Sequence, residues 1–526
     1  MACGLPGGWT GQPVWSLLDT AFGQGERFLR LWRAWQSHPR PPGRLHVVAL
    51  CPVAPVWPPA SPPGSGSDLG QALAHAARGL LAGFHRLILA DGRVHLTLCI
   101  GDPLASLAQQ HVQVDVLWLQ PPEAGPSFPR GWPGHPEPPM NSLGDTRLHR
   151  SGDPDWPLSL VRGLARCARP GTRLVHTGPS EPWRAALRRC GFQFDPTPQV
   201  RRPSGSPDAE RADEPDQRAA SEAPAPTAPT ALHTVHQPPV GPSCCAIGRF
   251  EPGWTRRRTS VPSRAVPPGR CGVIGAGLAG AAVAAALAQR GWEVEVLDRH
   301  PRPAGGASGL PAGLLAAQTS ADDNLASRLS RAGVRLTLQQ AQQRLSPGVD
   351  WSAAGTLERL LDRARRLPSQ WPVAGQPWAA PLPGQSALWH AWAGWIRPAA
   401  LVEAWLREPG VRFRGGCAVQ SLQFQDGRWL VLDVQGRELA RCDRLVLANA
   451  MGLPDLLAHL PPELAAQRRP LPALQSLHGQ VSWGWHTEAA PADAGWPTTP
   501  VHGHGSLIPA VPQPCSLSQA VPPDRE

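Results

Sequence analysis

The chain contains no lysine and no tyrosine, and only 3 methionines. All of its 50 basic residues are therefore arginine, set against 40 acidic residues for a net charge of +10. Loss of lysine to arginine is what a GC-rich genome produces. It also suits an anionic partner, because a guanidinium forks onto phosphates and stacks on bases where an ammonium does not. No apolar run approaches the ~18 uncharged residues a membrane-spanning helix needs, which excludes such a helix. The start, Met1 to Gly8, has neither the basic region nor the apolar stretch of a secretory signal. The 11 cysteines form no C-x-x-C pair, and Cys244 and Cys245 are adjacent. That pattern suits neither a zinc site nor a disulfide framework. A reduced, cytoplasmic chain without a metal is expected, its cysteines serving as small buried apolar residues.

At 526 residues the chain is too long for one core, so at least two are expected. Its 64 prolines and 54 glycines require much loop or linker. They concentrate from Arg201 to Pro242, where apolar periodicity vanishes and a polyproline-like linker is predicted. A second weak stretch, Arg256 to Gly269, carries Arg256, Arg257 and Arg258, a solvated charge run or a contact for phosphates. Residues 1–200 and 270–526 are the folded regions on either side of a 201–269 linker. In the first region strands are predicted at Val14–Asp19, Leu45–Cys51, Arg93–Ile100, Val114–Leu119 and Thr172–His176. Helices fall at Arg27–Gln36 and Pro157–Arg169, and residues 121–155 are loop. Alternation of this kind predicts a parallel, doubly wound α/β sheet.

The second region opens with the clearest motif. The strand Arg270–Ile274 runs into Gly275-Ala276-Gly277-Leu278-Ala279-Gly280, and a helix over Ala281–Arg290 follows. A second strand, Gly291–Leu297, ends at Asp298. This is a dinucleotide fingerprint in its required setting. Gly275 permits the tight turn, Gly277 lets a pyrophosphate approach the backbone, and Gly280 lets helix and strand pack closely. The helix N-terminus attracts the phosphates, and Asp298 would accept from ribose hydroxyls. Strands are also predicted at Gly427–Asp433 and Arg444–Ala448. Arg397 precedes a helix over Ala399–Leu406, either solvated or facing an anionic substrate group. His502 and His504 lack a third partner for a metal.

The segment Gly305-Gly306-Ala307-Ser308-Gly309 is similar to the small-residue turn of FAD-dependent amine oxidases of the D-amino acid oxidase class. That likeness implies that Ala307 and Ser308 cover the diphosphate of FAD. Arg270 to Ser308, with Gly394-Trp395, Gly479 to Ser482 and Leu445 to Asn449, resembles one half of a bifunctional family. The family makes 5-methylaminomethyl-2-thiouridine at the wobble position of bacterial tRNA. Asp19-Thr20-Ala21-Phe22-Gly23-Gln24-Gly25, and Phe84 through Gly101-Asp102, resemble the family's methyltransferase half.

The resemblance implies an N-terminal Rossmann-like class I methyltransferase domain over 1–200. It implies a C-terminal FAD-binding Rossmann-type domain over 270–526, with an inserted mixed-sheet substrate region near 330–440. FAD would contact Gly275, Ala276, Gly277, Ala279, Gly280, Asp298, Ala307 and Ser308. S-adenosylmethionine would contact Asp19, Gly23, Gly25 and Asp102. The implied reaction removes the carboxymethyl group of 5-carboxymethylaminomethyl-2-thiouridine by oxidation and then methylates the freed amine. No residue is assigned as catalytic. The sequence departs from the family at Cys51, where an acid for the methyl donor's ribose is expected. It departs again at Gln120, where an Asp beside the target amine is expected. Impaired methyl transfer follows as an expectation. The Pro-rich stretch after Gly505-Ser506 lacks the family's closing segment, so a C-terminal truncation is expected as well. Two alternatives stay open. One is a small-molecule amine or amino acid oxidase with a degenerate first domain. The other is a non-catalytic tRNA-binding remnant.

Overall fold

The computed structural model describes residues 8–55, 68–77, 79–120, 156–177, 181–194, 245–254, 266–360, 367–368, 378–467, 474–484 and 497–511. Residues 121–155, most of the 201–269 linker and Arg256–Arg258 lie outside the described residues.

The first region is built on a sheet of strands β1 (Val14–Asp19), β2 (Arg44–Cys51), β3 (Gly83–Leu89), β4 (Val94–Ile100), β5 (Val114–Leu119), β6 (Ala168–Thr177), β7 (Phe192–Phe194) and β8 (Cys245–Phe250). Their order is β3-β4-β2-β1-β5-β6-β8-β7. Chain order runs outward from β1 in both directions, which makes the β1/β5 junction the topological switch point. Helices α1 (Glu26–Gln36) and α2 (Asp68–Ala76) cover one face. Helices α3 (Pro103–Ala108), α4 (Trp156–Arg166) and α5 (Glu181–Arg189) cover the other. The amphipathic spacing of α1 explains its side. Phe28, Leu31, Trp32 and Trp35 turn into a core with Leu17, Val47 and Leu96, while Glu26, Arg30 and Arg33 stay outside.

Two expectations are corrected. The sheet is parallel only at its centre: β3 runs antiparallel to β4, and β8 antiparallel to β6 and β7. The linker also ends earlier than residue 269. Cys245–Phe250, expected within it, is β8, and its Arg249 lies opposite Arg173 of β6. A six-residue strand flanked by proline-rich sequence carried too little periodicity to be recognised.

The second region has a parallel sheet in which β9 (Arg270–Ile274) and β10 (Glu293–Leu297) are central. Strands Val411–Arg414 and Arg444–Leu447 flank them. Helix α6 (Leu278–Ala288) packs on this sheet through Ala284, and its Ala281 and Ala285 pack on the other side against Leu401, Val402 and Trp405. The mixed-sheet region is present as small sheets, and its largest pairs Thr356–Arg359 with Ala387–His390 and with Val501–His502. That last strand comes from beyond the 330–440 window, so the region is completed by a later part of the chain.

The long helix α7 (Leu325–Arg344) joins the two regions. Arg335 donates to the carbonyls of Ala76 and Arg86, both at 2.9 Å, and Gln339 and Gln343 donate to that of Ile88. Carbonyls 86 and 88 face outward from β3 because strand groups alternate. The side chains of α7 therefore line the outer rim of the first sheet. Trp378 adds an indole bond to the carbonyl of Gly79 at 2.9 Å.

Candidate functional site

At the end of β9 the backbone of Gly275 has φ +106°, and a Cβ there would sit 2.5 Å from the carbonyl oxygen of Ala448. A Cβ at Gly280 would sit 1.9 Å from the carbonyl oxygen of Gly275. Only glycine allows helix and loop to approach so closely. Helix α6 starts at Leu278, three residues earlier than expected, with Gly277 as its N-cap and no acid in its first turn. That leaves the positive end of the helix dipole without a carboxylate, a setting that favours a bound anion.

Asp298 follows β10 and turns back onto this loop. Its Oδ2 accepts from the Ala276 N–H at 2.7 Å, and its Oδ1 accepts from the His300 N–H at 2.9 Å. The His300 ring lies 2.9 Å from the same oxygen. Residues 307–309 form a single helical turn beside the loop, where Ser308 Oγ accepts from the Leu278 N–H at 3.0 Å. The same oxygen lies 3.1 Å from where a Gly277 Cβ would be. The structure thus brings Gly275, Ala276, Gly277, Gly280, Asp298 and Ser308 into one cradle. Ala279 and Ala307 are exposed at its mouth. The cradle fits a dinucleotide: its glycines clear the space a phosphate needs, and it is faced by a helix terminus whose N-cap residue, Gly277, has no side chain and whose Leu278 N–H is met by Ser308 alone.

The second candidate site lies at the switch point, outside the carboxyl ends of β1 and β5, where open α/β sheets bind ligands. Gly23 (φ +57°) and Gly25 (φ +82°) carry the chain from β1 into α1. Asp19 is buried, and its Oδ1 accepts from Arg27 and from the Ala21 N–H, both at 2.9 Å. Burial holds the Asp19 carboxyl above the usual carboxylate range, although the Arg27 charge pulls the other way. Arg27 also donates to the Gln120 side chain and the Ala21 carbonyl, and lies 5.1 Å from the Trp118 ring centre. Arg27 is the residue that sequence reasoning missed. The only signal for it was a cation one turn into the helix behind a glycine loop.

Cys51 ends β2 in a buried position, and burial pushes its thiol up, so no thiolate forms there near neutral pH. Asp102 sits apart from the Asp19 cluster, exposed, as the N-cap of α3. Its Oδ1 accepts from the Ala105 N–H at 2.6 Å. Arg397 is not solvated. It is buried and donates to the carbonyls of Val349 (2.8 Å) and Pro311 (3.4 Å), tying two loops together. Among the described residues no cluster of three metal-binding side chains occurs, and no helix is long and apolar enough to cross a membrane.

Residues 270–512 match the family model described as FAD dependent oxidoreductase. With the cradle at β9 and α6, this defines the second region as an FAD-dependent oxidoreductase domain. The whole chain is similar to proteins named tRNA 5-methylaminomethyl-2-thiouridine biosynthesis bifunctional protein. That of a Polaromonas species is 40% identical over 540 residues, covering 97% of this chain and 73% of the relative. The Verminephrobacter eiseniae protein is 40% identical, covering 97% of this chain and 74% of its own. The Cupriavidus necator protein is 31% identical, covering 96% and 69%. The chain belongs to this family.

Proposed function

We propose that the chain modifies the wobble uridine of bacterial tRNA in two steps. The second region removes the carboxymethyl group from 5-carboxymethylaminomethyl-2-thiouridine oxidatively, with FAD as cofactor. The first region then methylates the exposed amine with S-adenosylmethionine. The observation that carries this reading is the cradle at Gly275–Gly280, lidded by Ser308, in a chain of this family.

Bound FAD supplies the hydride acceptor for the C–H bond beside the amine nitrogen. The chain's own part is to hold and orient. The N-terminus of α6 and the loop at Gly275 to Gly277 take the pyrophosphate, with Ala276 and Ala279 beside it. Asp298 fixes the loop through the Ala276 N–H and offers its carboxylate to the ribose. Ala307 and Ser308 close over the phosphates and keep water out. In the first region Asp19, Gly23 and Gly25 line the methyl donor's crevice, with Asp102 at its edge. Arg27 holds Asp19 and Gln120 in place there. Neutral Gln120 and protonated Cys51 offer the amine and the ribose no negative charge, so methylation is the slower half-reaction. The domain assignment is 1–200 with β8 for methyl transfer and 270–526 for oxidation. The reaction sets the protein in the cytoplasm, with tRNA as its substrate.

The test combines spectrum and nucleoside analysis. Purified chain should show the two visible flavin bands and release FAD on denaturation. With tRNA bearing the carboxymethylaminomethyl nucleoside, digestion and mass spectrometry should show the aminomethyl product. Adding S-adenosylmethionine should then give the methylaminomethyl product. A colourless chain that stays colourless in added FAD sinks the oxidase half. Turnover of free N-alkyl glycines but not of tRNA would favour the small-molecule oxidase instead.

A further inference from the structure

The first sheet has one region that its own helices leave uncovered. On β2 and β4, residues Leu45, Val47, Leu96 and Leu98 face the core beneath α1. The alternate residues face the other way. There Val48, Leu50 and Cys99 lie near α3 and α4 in the second core. Towards the amino end of β2 the same face carries Arg44, His46, His95, Thr97 and Arg86. Strand register brings them together: His46 pairs with His95 and Arg86 with Thr97. The His46 and His95 rings lie 6.3 Å apart, and His46 Nε2 is 3.4 Å from Thr97 Oγ1.

The second region meets this patch with the C-terminal end of α6. Arg44 donates to the Gln289 carbonyl, and Arg290 follows directly. Three guanidiniums from both regions therefore converge on two imidazoles. No ion pair engages Arg44, Arg86 or Arg290 among the described residues. Glu408, which reaches the Gln289 side chain at 3.3 Å, is held by Arg344 at 2.8 Å. Arg44 Nε is buried without a partner. Arg86 is exposed, while Arg44, His46 and Arg290 are half-buried, so the cluster opens to solvent on one side. The like charges are felt: after burial, the arginines push His46 and His95 down to about 4 and about 3. Positive charge gathered from two regions without a carboxylate is what a phosphate would relieve.

We propose that this face between the two regions is a phosphate-binding site, formed by Arg44, Arg86 and Arg290 and filled by a backbone phosphate of the tRNA. The proposal rests on the tRNA reading above. It adds a contact that no part of either cofactor crevice supplies. Both imidazoles are neutral and add no charge, and His95 gives its one N–H to the Gly92 carbonyl at 2.9 Å, so the guanidiniums are left to supply the donors. Because both regions contribute arginines, the same phosphate would also bridge them.

The experiment measures tRNA affinity of the flavin-loaded full chain across a salt series. The variants are Arg86→Gln, Arg86→Lys and, as an equal loss of charge elsewhere, Arg412→Gln at an exposed strand position. Arg86→Gln should weaken binding about fivefold to tenfold and lower the slope of log K against log salt by about 1. Arg86→Lys should restore the slope, and Arg412→Gln should change neither quantity. Equal affinity and slope for wild type and Arg86→Gln would overturn the site. If wild type binds no tRNA at all, the function proposed above fails, and inorganic phosphate decides the site alone. Stabilisation by millimolar phosphate over chloride of equal ionic strength, lost in Arg86→Gln, would keep an anion site with free phosphate as its ligand. No such stabilisation would remove it.

Discussion

Ser308 makes one hydrogen bond at the mouth of the cradle, to the Leu278 N–H. A bound phosphate would draw on the same helix terminus, so the hydroxyl is placed to act as both lid and partner. Ser308→Ala removes about 0.5–1.5 kcal/mol, and FAD should bind about threefold to tenfold more weakly in a fluorescence titration. Unchanged affinity would leave Ser308 as a cap of α6 alone. The glycines of the loop were legible in the sequence because their meaning is local, whereas Ser308 was reached only through the family likeness, its bond to Leu278 spanning 30 residues. A missing Cβ at Gly275 or Gly280 is needed wherever strand, turn and helix follow in six residues. Arg27 was not legible. Its partner Gln120 lies 93 residues away and becomes a neighbour only because β5 pairs with β1. Asp102 shows the opposite case. Its ligand reading comes only from the family resemblance, and the Pro103 that follows it also makes it the N-cap of α3.

At the scale of elements, strongly periodic segments were read well and irregular ones were not. β1, β2, β4 and β5 are short apolar runs bounded by turns, and they appear where expected. β7 spans only three residues, and β8, as long as β1, follows a proline-rich stretch that hides its start. The outer strand β3 overlaps Phe84 to Leu89, a segment read from the sequence only as part of a likeness to the family's first half. Its place at the rim, and its dependence on α7, come from tertiary structure alone. Burial lowers the Arg335 guanidinium to about 10, and it still carries its charge at neutral pH. Arg335→Gln should cost about 2–3 kcal/mol, since it strips two carbonyls of a charged donor. The two regions should then melt in separate calorimetric transitions instead of together. A single unshifted transition would show that the α7 contact contributes nothing to cohesion.

Across the whole molecule, charge decides the behaviour in acid. His95 is 3% exposed, and burial with Arg290, Arg44 and Arg86 lowers its pKa from 6.5 to about 3. The unfolded chain takes up a proton there below about pH 6.5, while the folded chain does not. Stability that is complete above pH 6.5 is therefore lost as pH falls, until the folded ring titrates too. At pH 5 the loss from His95 is about 2 kcal/mol, and His46 adds to it with the same sign. The melting temperature should fall between pH 7.5 and pH 5, and fall less in His95→Gln. An equal fall in both proteins would assign the acid sensitivity to other groups.

The outward carbonyls of residues 86 and 88 have a consequence for how the chain can be divided. Cut away from α7, the first sheet would end in a bare strand rim on which Arg86 is an exposed charge and Phe84 an exposed apolar ring. Such a rim recruits any extended peptide, including a second copy of itself. Joining the two activities in one polypeptide thus supplies the first with a built-in chaperone. A gene split after residue 254 would yield a first half whose solubility depends on being made alongside the second.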